Sequence, residues 1–347
     1  MKLALTYNLR REDEEPLESE ASNGEALSED LYAEWDDMET ISAVKDALCD
    51  GGHSVALIEA DQDAYVKLRT LRPELVFNMA EGLHGESREG HIPSILEMLK
   101  LPYTGSNPLT LALTLNKARA KEILLHHNVA TPKHVVIESV GQVASGLSEM
   151  SYPMMVKPLF EGSSKGIRND SVVNNYEELR VKADFIIKEY EEPAIVEEYL
   201  EGREFTVAVL GNGDEAKALP IVEIDYSALP EGVNPIYSYE AKWIFDRPEE
   251  PLDIFKCPAE LSGELKADIE DVTLSAYRSL NVRDWCRIDV RCDSKGRANI
   301  IELNPLPGIL PQPEQNSCFP KAARAAGMSY SELVNSVVNI ARQRYGI

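Results

Sequence analysis

Residues 285–308 read Trp-Cys-Arg-Ile-Asp-Val-Arg-Cys-Asp-Ser-Lys-Gly-Arg-Ala-Asn-Ile-Ile-Glu-Leu-Asn-Pro-Leu-Pro-Gly. Polar and apolar residues alternate on both sides of Asp293-Ser294-Lys295-Gly296, the pattern of two strands joined by a tight turn. If Asp293 pairs with Gly296, Asp289 falls opposite Ile300, Arg287 opposite Glu302 and Trp285 opposite Asn304. Paired residues share a face, so Arg287, Asp289, Glu302 and Asn304 stand together. Cys286, Ile288, Val290, Ile301 and Leu303 form an apolar face suited to a core. Two carboxylates and an amide oxygen are hard ligands, too few to cage a metal but sufficient for Mg2+ completed by phosphate oxygens and water. A plain hairpin fits the same pattern, its polar face solvated and Arg287 paired with Glu302 across the strands.

At 347 residues the chain exceeds one typical core, which predicts two or three domains. No apolar run approaches the roughly 20 residues of a membrane span, and Met-Lys-Leu-Ala-Leu-Thr-Tyr at the start is too short for a signal-peptide core, so a cytoplasmic location is expected. Cys49, Cys257, Cys286, Cys292 and Cys318 are scattered, with no Cys-x-x-Cys, and read as free thiols. The net charge of -24 argues against nucleic acid or an anionic membrane as partner, since both demand clustered Lys and Arg. A small anionic ligand is compatible with it. Half of that charge lies in residues 11–40, with thirteen acids against one Arg, a segment that reads as a solvated loop or lid.

Strand patterns at 2–7, 54–59 and 75–78 alternate with helix patterns at 38–49 and 92–99, which predicts a small parallel sheet with helices on its faces. The acidic segment follows the first strand, where doubly wound folds bind ligands. It would touch a substrate there or serve as a solubilising insertion. A second unit starts near Asn107: a helix over 111–127, a strand at 134–137, a helix near 140–150 and a strand at 153–157. Phe160-Glu161-Gly162-Ser163-Ser164-Lys165-Gly166-Ile167 then offers small residues, hydroxyls and an ammonium between two strand-like segments. Such a loop brings backbone N-H groups to phosphate oxygens, although it lacks the Walker spacing and a plain Gly-Ser-Ser turn is equally compatible. Strands from 194 onward, a helix at 265–279 and a terminal helix at 330–344 complete an antiparallel third unit.

Taken together, Phe77-Asn78, Pro102-Tyr103-Thr104-Gly105-Ser106, Leu115-Asn116-Lys117, Val156-Lys157-Pro158 with Glu161-Gly162-Ser163-Ser164, Glu204-Phe205-Thr206-Val207, Tyr239-Glu240-Ala241-Lys242, Arg287-Ile288-Asp289 and Glu302-Leu303-Asn304-Pro305 resemble, in order, the D-alanine-D-alanine ligases of the ATP-grasp superfamily. The resemblance runs from about Leu75 to Met328 and implies an α/β, three-domain fold. Its parts would be a substrate domain over 1–106, a central ATP-grasp subdomain over 107–193 and a catalytic subdomain over 194–347. It implies ATP and Mg2+ (or Mn2+), amino-acid substrates, an acylphosphate intermediate, a place in peptidoglycan biosynthesis and a homodimer. Lys117 and Lys157 match phosphate-contacting lysines, with Ser163 and Ser164 in the loop that closes over the phosphates. Glu197 and Glu204 match the acids that hold adenine and ribose; Tyr199 and Leu200 would line the adenine slot. Lys242 would reach the γ-phosphate from a mobile loop. Asp289, Glu302 and Asn304 match the metal ligands, Arg287 and the Gly308 N-H the oxyanion donors, and Ser317 the serine that holds the acceptor carboxylate.

The chain also departs from the family. Trp243 replaces a tyrosine that orders the mobile loop, and an indole N-H donates but cannot accept. Glu39 is the candidate for the first-domain glutamate of that network. The family's Asn-x-x-His-Gly reads Asn78-Met79-Ala80-Glu81-Gly82, with His84 three positions later, and Pro305-Leu306-Pro307-Gly308-Ile309 leads into a longer loop before Ser317. These changes fall at the substrate pockets and leave the ATP apparatus intact, the pattern expected of a ligase for another amino-acid pair.

Overall fold

Three β-sheets follow one another along the chain among the described residues. The computed structural model describes residues 1–10, 32–82, 84–139, 141, 147–230, 232–239 and 254–347. Most of the acidic segment, residues 11–31, and part of the helix expected near 140–150 therefore lie outside the described residues.

The first sheet is parallel, with β1 (Lys2–Tyr7) between β2 (Ser54–Glu59) and β3 (Leu75–Asn78). Helix α1 (Met38–Asp50) starts where the Asp37 carboxylate accepts the Thr40 N-H at 2.7 Å, an N-cap that satisfies an otherwise orphaned donor. Its Ile41, Val44 and Leu48 pack with Leu3, Leu5 and Phe77 on one face of the sheet. On the other face, α2 (Ala64–Leu71) and α3 (His91–Leu99) set Leu68 and Leu96 against Ala4 and Val76. Both faces are thus covered, which explains why the strands read as apolar runs. Two of these helices follow hydrophobic periodicity in the sequence; α2 was not expected.

The helix expected over 111–127 is divided into α4 (Pro108–Leu115) and α5 (Lys117–His126). Asn116 breaks it because its side chain accepts the Arg119 N-H at 3.0 Å and so starts a new helix, which places Lys117 in the first turn of α5. The second sheet is antiparallel, in the order β4 (His134–Ile137), β7 (Ala194–Glu198), β5 (Met154–Pro158) and β6 (Val172–Val173). It is backed by α6 (Tyr176–Glu189) through Leu179, Ala183 and Ile186. The boundary placed at 193/194 needs correction, because β7 is hydrogen-bonded to β4 and β5 on both edges and belongs with the central sheet.

The third sheet holds β8 (Glu204–Leu210), β9 (Lys217–Ala218), β10 (Val222–Ile224), β11 (Phe255–Lys256), β12 (Trp285–Cys292) and β13 (Ala298–Asn304). Helix α7 (Gly263–Ser279) covers its inner face with Ile269, Val272 and Ala276. Helices α8 (Cys318–Ala325) and α9 (Tyr330–Tyr345) return to the first sheet, where Phe319, Val337 and Val338 join Leu3 and Leu5 in one core. No helix among the described residues is long and apolar enough to cross a membrane.

The hairpin register differs from the expected one in an informative way. Cys292 pairs with Ala298 across a loop closed by Gly296 N-H to Asp293 O at 2.9 Å, so Val290 lies opposite Ile300. Alone, that one-residue slip would exchange the two faces of β13. A bulge at Ile301 restores them, and Asp289 pairs with Glu302 and Arg287 with Asn304. The polar quartet survives with different partners. Ile300 takes the core position expected of Ile301, which turns outward instead.

Candidate active site

A cavity opens between the second and third sheets. Lys157 of β5 and Glu197 of β7 form one wall; Glu204, Asp289, Ile301 and Glu302 form the other, with Tyr199 and Leu200 at the connection. Glu197 is 2% exposed and lies 3.0 Å from Lys121 Nζ and 2.5 Å from Lys157 Nζ. Against the penalty of burial, these two ammonium groups hold its carboxyl down at about 2. Burial lowers Lys121, which also donates to Thr131 Oγ1 at 3.0 Å and Ile301 O at 2.9 Å. Burial opposes the Lys157 ammonium too, but Glu197 and Glu302 raise it above its ordinary value. On the opposite wall, Arg291 Nη1 donates to Glu204 at 2.8 Å and its Nη2 to the Tyr199 hydroxyl at 3.1 Å.

Arg287 forks onto Asp289 at 3.1 and 2.9 Å and lies 3.7 Å from Glu302, while Asn304 Nδ2 is 3.3 Å from Asp289 and 3.4 Å from Glu302. Burial and the neighbouring Glu302 charge raise the Asp289 carboxyl, although Arg287 opposes both. Burial also disfavours the Glu302 carboxylate, yet Lys117, Lys157 and Arg287 bring it below its ordinary value. Two crowded carboxylates at the first cavity, with the Asn304 amide beside them at the second, fit a hard divalent cation that draws its other ligands from phosphate and water.

A second cavity adjoins the first and shares Glu161, Gly162, Ser163, Arg287 and Glu302 with it. Lys117, Asn304, Gly308 and the first-domain acids Glu34, Asp36, Glu81 and Glu89 also line it. Ser163 and Ser164 in the shared loop have φ of 48° and 62°, a left-handed backbone that costs a non-glycine residue about 1–3 kcal/mol. Several contacts hold the loop there: Ser164 Oγ donates to Tyr237 O at 2.8 Å, Gly162 N-H to Glu34 at 2.8 Å, and the Lys117 ammonium to Glu161 O. Arg88 Nη2 reaches Glu34 at 3.0 and 2.8 Å and Glu161 at 3.1 Å, and Lys165 lies 2.5 Å from Glu161.

The family profile described as D-ala D-ala ligase C-terminus matches residues 125–339. The D-alanine-D-alanine ligase of Bordetella petrii is 33% identical over 296 residues, 85% of this chain and 84% of that protein. The chain belongs to the D-alanine-D-alanine ligase family. An uncharacterized protein of Sinorhizobium fredii is 33% identical over 319 residues, 90% of each chain. The fold is that of a crystal structure of D-alanine-D-alanine ligase from Bacillus anthracis complexed with ATP. The TM-score is 0.74 at 21% identity, covering 100% of this chain and 99% of that one. It is thus the ATP-grasp fold of a family of ATP-dependent ligases.

Within this D-alanine-D-alanine ligase family member, Lys157, Ser163, Ser164, Glu197, Tyr199, Leu200, Glu204, Asp289 and Glu302 all border the first cavity. Lys117, Asn304 and Gly308 border the second. Arg287 faces both. Lys242 and Trp243 lie outside the described residues. Two candidates are not brought to either cavity wall. Glu39 is exposed on α1 and accepts from Gln312 Nε2 at 3.1 Å; the position against the glycine loop is taken by Glu34, in the segment preceding that helix. The Ser317 hydroxyl donates to Gly308 O at 3.0 Å and accepts the Leu310 N-H at 3.2 Å, clamping the base of the longer loop in place of lining the pocket. His84 is exposed, while Glu81 lines the second cavity.

Lys121, Arg291, Arg88 and Glu34 were assigned no site role from the sequence. Arg291 was legible, since strand alternation places it on the face of Arg287 and Asp289. Lys121 carried a weaker signal, four residues after Lys117 on one helix. Arg88 and Glu34 carried none, because their meeting joins distant loops.

Proposed function

We propose that this ligase uses ATP to convert an amino-acid carboxylate into an acylphosphate and joins it to an amine, giving D-alanyl-D-alanine or a close equivalent with ADP and phosphate as the other products. The observation that carries this reading is the wall shared by the two cavities. Arg287, Glu302, Glu161 and the Gly162-Ser163 turn border both cavities, where a phosphoryl group in one and a carboxylate in the other would meet. A carboxylate oxygen is a poor leaving group for an attacking amine, whereas phosphate is a good one.

Lys117 and Lys157 supply positive charge at the phosphates, and Arg287 supplies donors for the oxyanion of the tetrahedral intermediate, a role worth about 10²- to 10³-fold in rate per donor. Asp289, Glu302 and Asn304 are the residues that would hold Mg2+ or Mn2+, which when bound offsets charge on the transferring phosphoryl group. Tyr199, Leu200 and Ile301 offer an apolar slot for the base, and the Lys121-Glu197-Lys157 triad fixes polar groups beside it.

A different amino-acid pair within the same chemistry is favoured by one observation, the carboxylate of Glu81 in the second cavity where the family carries histidine. Phosphate release from ATP with Mg2+ and a panel of D- and L-amino acids, singly and in pairs, separates the two. Turnover with D-alanine alone, abolished by Glu302→Gln, supports the first. Turnover confined to other amino acids supports the second, and none with any amino acid sinks both.

A further inference from the structure

The acids of the second cavity do not all have cations to answer them. Arg88 and Lys165 serve Glu34 and Glu161. Lys117 is directed to Glu161 O, and Arg287 to Asp289 and Glu302. Asp36, Glu81 and Glu89 are left with no ion pair among the described residues. Glu89 is 9% exposed, and its Oε2 is buried with no hydrogen-bond partner. Gly82 ties the segments of Asp36 and Glu81 together, donating its N-H to Asn8 Oδ1 at 2.8 Å and accepting from Trp35 Nε1 at 3.0 Å, and Glu89 reaches the same cavity from the turn at Arg88–Gly90. Among the described residues the acids do not converge as a metal site.

We propose that Asp36, Glu81 and Glu89 form a subsite for a second cationic group on the amino acid whose carboxylate is activated, so that this substrate is a diamino or guanidino acid. The proposal rests on the ligase reading above. A buried carboxylate without a partner is strongly unfavourable, and Glu89, with the partly exposed Asp36 and Glu81 on the same cavity wall, calls for positive charge from the ligand. A single α-ammonium answers one and leaves two. In the free protein the cost is relieved by protonation: burial raises Asp36 to about 7 although Arg10 opposes it, raises Glu89 to about 8 although Arg88 and Lys117 oppose it, and with the surrounding acids raises Glu81 well above its ordinary range against Arg88. A bound cation would therefore displace protons.

Titration calorimetry of the full chain with ADP and Mg2+ tests this, with ornithine, lysine and arginine set against norvaline and norleucine, each in both chiralities. A basic side chain is expected to tighten binding about tenfold or more, with heats that vary with the ionisation enthalpy of the buffer. Glu81→Gln and Glu89→Gln should each erase most of that preference without changing ADP affinity. Equal binding of basic and neutral amino acids by the unmodified chain, or an intact preference in both variants, overturns the proposal. Phosphate release with neutral amino acids and no gain from basic ones overturns it while leaving the ligase reading standing. Failure with every amino acid overturns both.

Discussion

Glu34 accepts the backbone N-H of Gly162 at 2.8 Å across 128 residues of chain. The contact ties the first domain to the turn that borders both cavities. With Arg88 on the same carboxylate, it makes the loop conformation depend on a neighbouring domain.

A Cβ placed on Gly162 would sit 2.5 Å from Glu34 Oε1, so Gly162→Ala must displace either the Glu34 carboxylate or the loop and break this anchor. Losing a hydrogen bond to a charged group is worth about 1.5–3 kcal/mol. Phosphate release should fall about tenfold or more, while the thermal melt drops by only a few degrees. Unchanged turnover would show that the anchor is dispensable.

Ile300 and Ile301 are adjacent but face opposite ways. Ile300→Ala should destabilise the fold by about 2–5 kcal/mol in urea denaturation, as a large-to-small change in a core does. Ile301→Ala should cost about 1 kcal/mol and chiefly weaken nucleotide binding. The opposite outcome would mean that the strands pair without the bulge.

Glu197 links stability to pH. Its folded value of about 2 lies below the ordinary 4.5, so its contribution is fully present above about 4.5 and is lost as pH falls toward 2. That contribution is of the order of 3 kcal/mol. Glu197→Gln should lower stability at pH 7 by about 3–5 kcal/mol, since two buried ammonium groups lose their partner. It should also flatten the stability profile between those two pH values. An unaltered acid profile in the variant would refute the assignment.

Asp284, 0% exposed, gathers three segments: it accepts the Gly105 N-H at 2.8 Å, Asn212 Nδ2 at 2.8 Å, and Arg344 at 3.0 and 2.7 Å. Asp284→Ala should cost about 3–5 kcal/mol by stranding the arginine. Urea midpoints would register this, and a change within error would mean that the arginine reaches water instead.

Local rules determined much of this protein from sequence alone. Strands β1, β2, β3 and β4 lie where alternation or apolar runs placed them, and the polar face of the 285–308 hairpin was legible because side-chain direction has a period of two. Tertiary structure decided what local pattern cannot encode. The bulge at Ile301 follows from competition between core packing and turn geometry. Asn116 divides a helix whose apolar pattern runs through it. Strand β7 joined the sheet before it in the chain because its free edges met β4 and β5. The second cavity depends most on tertiary structure, since Glu34, Glu81, Glu89 and Arg88 acquire their charge environment only when separate loops are buried together, and burial turns weak surface electrostatics into strong ones.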